Sequence, residues 1–445
     1  MSNPSRRRFL KQSLTGLAAA GAATNPAVVS ARSQARVAGA NRRIRLGLIG
    51  CGGMGLSDLR QALRLGAQLV ALCDVDDAQS ARVRETVDRE FSQTPDLVTR
   101  DFRRVLDRSD IDAVIVATPD HWHALPTVMA CQAGKDVYVE KPLSLTIREG
   151  RVMVEAARRH GRVVQMGTQQ RSAPHYAEAI EYVKSGALGT IRLVKAWAYQ
   201  DWMGNIPAVP DSDPPPTVDY DFWLGPAPLR PFNRNRFHFN FRWFWDYSGG
   251  LMTDWGAHMI DVANWGMGVT APRAAVSTGG KFGFPDDAEE TPDTLQALWE
   301  FDGFSMIWEH ATGVGQGPYM RDHGVAFHGN NGVLVVDRGG WEVFPETETK
   351  DGRRRYRRAG EPRRGARGDY HQLHVRNFLE CMDTRERPRS DVEIGHLSMV
   401  ACHLANIAFR LKRRVAWDQA TETVPGDPEA QVLVDRPYRA PWKLA

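Results

Sequence analysis

The sequence predicts an α/β protein in which a doubly wound parallel sheet is followed by an α+β domain with a large antiparallel sheet. Between residues 43 and 168, short apolar segments alternate along the chain with helical segments. The apolar segments contain no regular polar positions, which is typical of strands buried on both faces. After about residue 168 the strand-like segments alternate polar and apolar residues, which is typical of a sheet with one exposed face. We therefore expect two domains, at residues 43–168 and 169–445, in a chain of 445 residues.

The elements of the first domain follow from local signals. A helix is expected at Leu56–Leu65, and Asp76 or Asp77 is placed to cap the next one. Thr146 and Glu149 have the spacing of a capping box at the start of a helix that extends to Gly161. Strands are expected at 44–50, in QLVALCDVD, at 112–119, at 136–142 and in RVVQMG.

The second domain opens with a helix in APHYAEAIEYVKSG and a strand in TIRLVKAWAY. Asn331-Gly332 predicts a hairpin turn between GVAFHG and GVLVVD. A late amphipathic helix is expected at 398–413, and the tail after it contains prolines and is expected to be extended. Further antiparallel strands are expected in TLQALWEF and FSMIWEH.

Residues 1–40 have the layout of a twin-arginine export signal. Arginines in SRRRFLK precede a weakly apolar segment and then small residues that offer two candidate cleavage sites. The interpretation predicts export of the folded protein to the periplasm by the twin-arginine machinery; a basic helix or an unstructured arm is the ordinary alternative. No stretch of eighteen or more apolar residues occurs, so we expect no membrane anchor.

Net charge and cysteine spacing argue against a nucleic-acid partner, a metal site and an essential disulfide. Residues 1–40 hold six basic residues and no acidic one, so the remainder has a net charge of −2 against +4 for the whole chain. This removes the main argument for a nucleic-acid partner, and the basic run in 352–368 is expected to be a solvated loop. The five cysteines match no zinc-binding spacing, so we expect neither a metal site nor an essential disulfide.

A dinucleotide site is predicted where the first strand ends. GLIGCGGMG places glycines at positions 50, 52 and 55 between a strand and a helix, and Asp74 ends the second strand. The turn would approach a pyrophosphate closely, the helix N-terminus would bind it, and Asp74 would accept hydrogen bonds from ribose hydroxyls. Because aspartates repel a 2′-phosphate, NAD is favoured over NADP. The predicted turn comprises Gly50, Cys51, Gly52, Gly53, Met54 and Gly55.

Two further segments end strands of the same sheet. These are ATPDHWH, after the strand at 112–119, and EKPLS, which contains Glu140 and Lys141. Ligands of such sheets lie outside the carboxyl ends of the strands. Lys141 is therefore expected on the cofactor side of the sheet.

Together with GGLMTDWGAHMIDVANW, these segments resemble the glucose–fructose oxidoreductase / inositol dehydrogenase / MocA (Gfo/Idh/MocA) family over essentially all of residues 43–445. The resemblance implies an enzyme that oxidises or reduces a sugar or cyclitol carbinol with NAD(P), and often a homo-oligomer. It implies that Lys141, Asp254 and His258 are catalytic. It also places Thr118, Pro119 and His123 beside the nicotinamide, with Glu140 near the cofactor.

The chemistry of these residue types agrees with that implication. A hydride leaves a carbinol carbon only if the hydroxyl proton also leaves, and histidine has a suitable pKa to accept it. A lysine ammonium stabilises the developing alkoxide. Asp254 and His258 are four residues apart and would share one helix face; an N-cap and a core histidine are the ordinary alternatives.

The remaining candidates concern substrate and metal binding. Gln169, Arg171 and Trp255 are predicted to contact substrate, although Arg171 is equally compatible with a surface ion pair. His121 and His123 lack a carboxylate partner in sequence, which argues against a metal. Some aromatic rings in 221–247 are expected to stack on a sugar, and others to pack against one another.

Three functions remain open at this point. The first is an oxidoreductase with tightly held NAD, recycled by a second substrate. The second is a redox-neutral glycosidase or lyase that acts through a keto-sugar. The third is a sugar-binding protein without catalysis, which the presence of all three catalytic candidates disfavours.

Overall fold

The computed structural model describes residues 43–357, 364–366 and 370–444. The predicted export signal lies outside them. Residues 44–168 form a six-stranded sheet in the order β3-β2-β1-β4-β5-β6, and every pair in it is parallel. Its strands are β1 Arg45–Ile49, β2 Gln68–Cys73, β3 Leu97–Thr99, β4 Ala113–Val116, β5 Asp136–Val139 and β6 Val164–Met166. This order is that of a dinucleotide-binding sheet.

Five helices connect these strands. They are α1 Gly53–Arg64, α2 Asp77–Phe91, α3 Phe102–Leu106, α4 Ala124–Gln132 and α5 Ile147–Arg159. The predicted caps are present: the Asp76 side chain accepts from the Ala78 N–H at the start of α2, and Thr146 and Glu149 form a complete capping box on α5. Strands β4 and β5 are buried throughout, as their uninterrupted apolar sequence predicts.

The second domain contains a nine-stranded sheet in the order β16-β13-β12-β11-β7-β10-β9-β8-β17. The sheet is mixed rather than fully antiparallel, because β7 and β10 run parallel. A separate hairpin pairs β14 with β15. The strands are β7 Ile191–Gln200, β8 Ala274–Gly280, β9 Thr294–Glu300, β10 Ser305–Thr312, β11 His323–Gly329, β12 Gly332–Asp337, β13 Gly340–Pro345, β14 Thr347–Lys350, β15 Arg353–Tyr356, β16 Arg364–Ala366 and β17 Val415–Ala416.

The helices of this part are α6 Pro174–Lys184, α7 Tyr220–Leu224, α8 Gly250–Asp254, α9 Gly256–Met267, α10 His371–Thr384, α11 Val392–Leu411 and α12 Pro428–Val434. Three predictions need correction. The tail holds helix α12 rather than extended chain alone, because Asp427 caps a proline-started turn. The hairpin turn lies one residue earlier, at Asn330-Asn331, since Gly329 already pairs with Gly332. The basic run expected to be a loop contributes β15 and β16.

The late part of the chain returns to the first domain. Helix α10 packs on α1, and its residues Val375, Phe378 and Leu379 belong to the same buried cluster as β1 and α1. In the tail, the Trp442 ring lies edge-on to Trp122, with centroids 4.8 Å apart. The described residues from Ile44 onward therefore form one compact unit.

Helix α11 is the one described helix whose length and composition would allow it to cross a membrane. In the protein, 78% of its most apolar window is buried. It packs on α5, α9 and β8, as a core helix does. The five cysteines are free thiols and are all buried.

Candidate functional site

The glycine-rich turn after β1 has the backbone geometry that a nucleotide site needs. Gly50 has a φ of +94°, and a Cβ there would lie 2.5 Å from the Ala117 carbonyl oxygen. A Cβ on Gly55 would lie 2.1 Å from the Gly50 carbonyl oxygen, so the helix can approach the strand only without a side chain. At Gly52 and Gly53, nothing stands within 4 Å of an added Cβ. The turn is thus closed towards the protein and open towards a ligand.

The start of α1 and the end of β2 complete this site. The first turn of α1 has no side-chain cap and no acidic residue, which leaves its N–H groups for an anion. Asp74 accepts hydrogen bonds from the N–H groups of Cys51, at 2.6 Å, and Asp76, at 2.9 Å. Burial raises the pKa of Asp74 to about 6. These bonds fix a carboxylate at the edge of the cavity, and Cys51 contributes its backbone rather than its buried thiol.

A cavity of about 510 Å³ lies above these elements. Eight of the predicted cofactor residues line it: Gly50, Gly52, Gly53, Met54, Asp74, Thr118, Pro119 and Glu140. Cys51, Gly55 and His123 do not line it. His123 is buried, with its Nδ1 2.6 Å from the Pro142 carbonyl oxygen and its Nε2 2.8 Å from that of Thr118. It therefore braces the loops after β4 and β5, behind the cavity.

A segment of the second domain, residues 217–242, which we call the crossing segment, lies over the far end of this cavity. The Thr217 carbonyl accepts from the Asp77 N–H at 3.1 Å, and the Asp219 N–H donates to the Val75 carbonyl at 2.9 Å. The His238 Nε2 lies 3.1 Å from a carboxylate oxygen of Asp76. Five aromatic rings of the segment also line the cavity: Phe222, Trp223, Phe237, Phe239 and Phe241. The rings expected at a sugar thus mostly surround the nucleotide cavity.

A second cavity, of about 750 Å³, adjoins the first. The two share five lining residues: Met54, Glu140, Lys141, Phe239 and Arg242. Among the sequence-predicted residues, Lys141, Gln169, Asp254, Trp255 and His258 line the second cavity. A substrate there would therefore lie directly beside a bound nucleotide.

An ion triad stands where the cavities meet. The Lys141 Nζ donates to the Asp254 carboxylate at 2.6 Å, and the Arg242 Nε donates to the same oxygen at 3.2 Å. Burial raises the pKa of Asp254, but the two cations outweigh that effect, and the pKa falls to about 2. Asp254 is thus an anion that holds two cations, not an N-cap.

His258 lies on the same cavity wall. The predicted single helix is divided at Trp255, because the His258 N–H bonds the Trp255 carbonyl three residues earlier, at 3.0 Å, and tightens the turn. Burial and the Lys141 ammonium lower the pKa of His258 well below its usual range. Its Nδ1 is buried without a hydrogen-bond partner among the described residues. The imidazole is therefore neutral, and a base.

Two predicted candidates serve other purposes. Arg171 does not line the cavity, because its guanidinium binds the buried Asp261 carboxylate at 2.7 and 2.9 Å. The His121 Nε2 lies 2.9 Å from the Trp223 carbonyl oxygen. Within the described ranges, no group of three or more His, Cys, Asp or Glu side chains is arranged to hold a metal.

Several residues that line the two cavities were not predicted from the sequence. Arg242 follows aromatic residues already singled out, and Asp120 stands inside ATPDHWH, so both were within reach of those motifs. Arg338, Tyr370 and His371 come from late loops and from the start of α10. No motif marks them.

Comparison with known proteins agrees with this geometry. Residues 44–168 match the family model described as the oxidoreductase family NAD-binding Rossmann fold. Residues 182–273 and 369–444 match its C-terminal alpha/beta domain, and residues 229–335 match the GFO/IDH/MocA C-terminal domain.

Relatives with similar sequences have several names. An uncharacterized oxidoreductase, YrbE, of Bacillus subtilis is 28% identical over 228 residues, which are 51% of this chain and 54% of the relative. An alpha-N-acetylgalactosaminidase of Shewanella oneidensis is 31% identical over 206 residues, 43% of this chain and 45% of the relative. A levoglucosan dehydrogenase of Pseudarthrobacter phenanthrenivorans is 29% identical over 181 residues, which are 40% of this chain and 39% of the relative. The chain thus matches about half or less of the length of these relatives.

Solved structures share the fold. A levoglucosan dehydrogenase in complex with NADH and levoglucosan superposes with a TM-score of 0.61 and 20% identity, over 84% of this chain and 99% of the other. An aldose-aldose oxidoreductase from Caulobacter crescentus gives 0.62 and 21%, over 84% and 100%.

Proposed function

Because the chain belongs to the Gfo/Idh/MocA oxidoreductase family, we propose that it transfers a hydride between a sugar or cyclitol carbinol carbon and NAD. One observation carries the proposal: Lys141 and His258, from separate domains, line one cavity that opens onto the nucleotide cavity. An ammonium, a neutral imidazole and a nucleotide pocket together are what alcohol oxidation requires.

The residues present fit NAD, since the open faces of Gly52 and Gly53, the uncapped start of α1 and the Asp74 carboxylate form a cradle for it. Bound NAD supplies the hydride acceptor. His258 is neutral at neutral pH because burial and the Lys141 ammonium lower its pKa, and it lines the cavity where it would accept the hydroxyl proton of the substrate. Lys141 donates a hydrogen bond to the same oxygen and stabilises the negative charge that develops there. The Asp254 carboxylate binds the Lys141 ammonium and holds it in place.

The proposal includes a tightly held cofactor. The crossing segment covers the nucleotide cavity with backbone hydrogen bonds and a His238–Asp76 contact, and such an enclosure slows dissociation. Retention suits an exported enzyme, since free NAD is not expected in the periplasm. The twin-arginine route and the periplasmic location stay predictions from residues 1–40, and a second substrate would then reoxidise the cofactor.

A redox-neutral glycosidase is the second candidate. The similarity to the alpha-N-acetylgalactosaminidase and to proteins named glycosyl hydrolase family 109 favours it. There, transient oxidation of a carbinol to a ketone would acidify the neighbouring C–H and allow elimination of the aglycone. Water would then add to the resulting enone, and the hydride would return to the ketone. The same Lys141 and His258 would serve both reactions.

Mass spectrometry of the purified protein, followed by a sugar panel, tests these proposals. Co-purified NAD and an absorbance change at 340 nm on adding a sugar would support the oxidoreductase. Aglycone release without net NADH, with deuterium incorporated beside the oxidised carbon, would support the glycosidase. If the folded protein binds a sugar but gives neither outcome, both the oxidoreductase and the glycosidase proposals are refuted.

We also propose a homo-oligomer formed through the second sheet. Val276 and Leu298 face each other on neighbouring strands of its open side, and each is 40% exposed. Light scattering of the purified protein measures the assembly, and a monomer at micromolar concentration would contradict this proposal.

A further inference from the structure

Arg338 is a cation of the second cavity that has no counter-ion among the residues the structure describes. It lies in the turn between β12 and β13, with its guanidinium carbon 4.6 Å from the centre of the Trp255 ring. Its Nε is buried without a hydrogen-bond partner among the described residues. The neighbouring carboxylates are already used, since Asp337 and Glu342 bind Arg321 at 3.0 and 3.3 Å.

The other charges of this cavity do not compensate for Arg338. Lys141 and Arg242 share the single carboxylate of Asp254. Glu140 is the only other acidic residue among the described lining residues, and burial, followed by the nearby Asp58, raises its pKa to about 8. The substrate cavity therefore has an excess of positive charge at neutral pH.

We propose that the substrate is a sugar acid whose carboxylate binds Arg338. This deepens the proposed function and rests on it. A guanidinium presents two parallel N–H groups that match a carboxylate, and stacking on Trp255 holds the group in place before the ligand arrives. Lys141 and Arg242 already bind the Asp254 carboxylate, so Arg338 is the remaining cation among the described lining residues, and one ligand carboxylate would pair with it. A neutral sugar would leave the buried Nε of Arg338 without an ionic partner.

Calorimetry on the NAD-bound protein tests the proposal with matched ligands. D-Glucuronate and D-galacturonate are compared with D-glucose and D-galactose, and D-glucose 6-phosphate serves as the other anion. We expect at least one uronate to bind about tenfold or more tightly than its neutral parent, and more weakly as salt increases. Equal affinity for acid and parent, or tighter binding of the phosphate, would overturn the proposal.

Variants assign the effect to one residue. R338Q should lose the preference for the acid while its affinity for the neutral sugar changes less than about threefold, and R338K should restore part of the preference. The exposed Arg414, which pairs with Glu300 at 2.7 Å, gives R414Q as a control with the same change in net charge. If R338Q weakens acid and neutral sugar alike while retaining its thermal unfolding midpoint, Arg338 does not read the carboxylate.

The outcome separates this proposal from the proposed function. Selective binding of the sugar acid without hydride transfer would support carboxylate binding by Arg338 and refute the proposed oxidoreductase activity. Turnover of neutral sugars without acid preference would refute the assignment and retain the enzyme. Should R338Q fail to fold, the salt dependence and the ligand series on the unaltered protein still decide the matter.

Discussion

Replacing Lys141 and Asp254 singly and together tests whether they act as one unit. The proposed variants are K141M, D254N and the double variant. K141M removes the ammonium and keeps most of its volume, and D254N keeps the shape of Asp254 without its charge. In the structure the two groups are 2.6 Å apart and nearly buried, with 13% and 8% of their side chains exposed.

The expected magnitudes follow from this geometry. Loss of one preorganised donor to a developing oxyanion lowers kcat by about 10²–10³-fold. Because the D254N change leaves Lys141 unaligned beside Arg242, it should lower kcat by a similar factor. The double variant should then lose little more than either single variant, which is a coupling of about 3–4 kcal/mol.

Stability should change with pH in a defined direction. The pKa of Asp254 falls from 3.8 to about 2 on folding, which contributes roughly 2 kcal/mol of stability. This contribution is fully present above about pH 4 and is lost as the pH falls towards 2. In D254N that part of the pH dependence should vanish, as measured by urea unfolding at pH 3 and pH 7.

The assay is the 340 nm absorbance change with a sugar that the panel identifies. Lys135 gives a matched control, because it precedes β5 as Lys141 follows it, and its Nζ binds two carbonyl oxygens at 2.6 and 3.0 Å away from both cavities. K135M should lower stability and leave kcat near the wild-type value. If the fold-losses in kcat of K141M and D254N multiply in the double variant, or if K141M retains the wild-type kcat, Lys141 and Asp254 do not act as one unit.

Three further predictions concern the base, a buried acid and the glycine turn. H258A should lose about 10²–10⁴-fold in kcat while it still binds NAD. The kcat/KM of the wild-type protein should stay constant from pH 8 to pH 6. An inflection near pH 6.5 that is absent in H258A would contradict the low pKa of His258. The pKa of Glu140 is raised to about 8, so wild-type stability should fall as the pH rises from 5 towards 9, and E140Q should show a smaller fall in urea unfolding. G52A should keep its unfolding midpoint and bind NAD more weakly in calorimetry, whereas G55A should lose about 1–3 kcal/mol of stability; equal stability of the two variants would refute the packing argument.

The parts that were predictable from sequence are those that depend on neighbouring residues. The glycines of the turn at Gly50–Gly55 determine its backbone conformation locally. Asp76 and Thr146 likewise cap helices that begin at the next residue. The sheet order follows from repeated strand–helix units, which have one favoured hand. These features need no knowledge of distant contacts.

The parts that were not predictable depend on partners far along the chain. Arg171 was expected at the substrate, but Asp261 lies 90 residues later and binds it. Arg242 and Arg338 belong to irregular segments without periodicity, and only the fold brings them to the cavity that Lys141 lines. The parallel pairing of β7 with β10 likewise has no local signal, because both strands alternate like antiparallel ones.

The end of the chain has a consequence for synthesis on the ribosome. Glu149, fully buried on α5, receives hydrogen bonds from the Arg436 guanidinium at 3.0 Å and the Tyr438 hydroxyl at 2.7 Å. The nucleotide-binding half leaves the ribosome first, yet these two partners of the carboxylate are synthesised nearly 300 residues later. Nascent chains halted before residue 436 should therefore hold that half in a looser state, and completion of the polypeptide should tighten it.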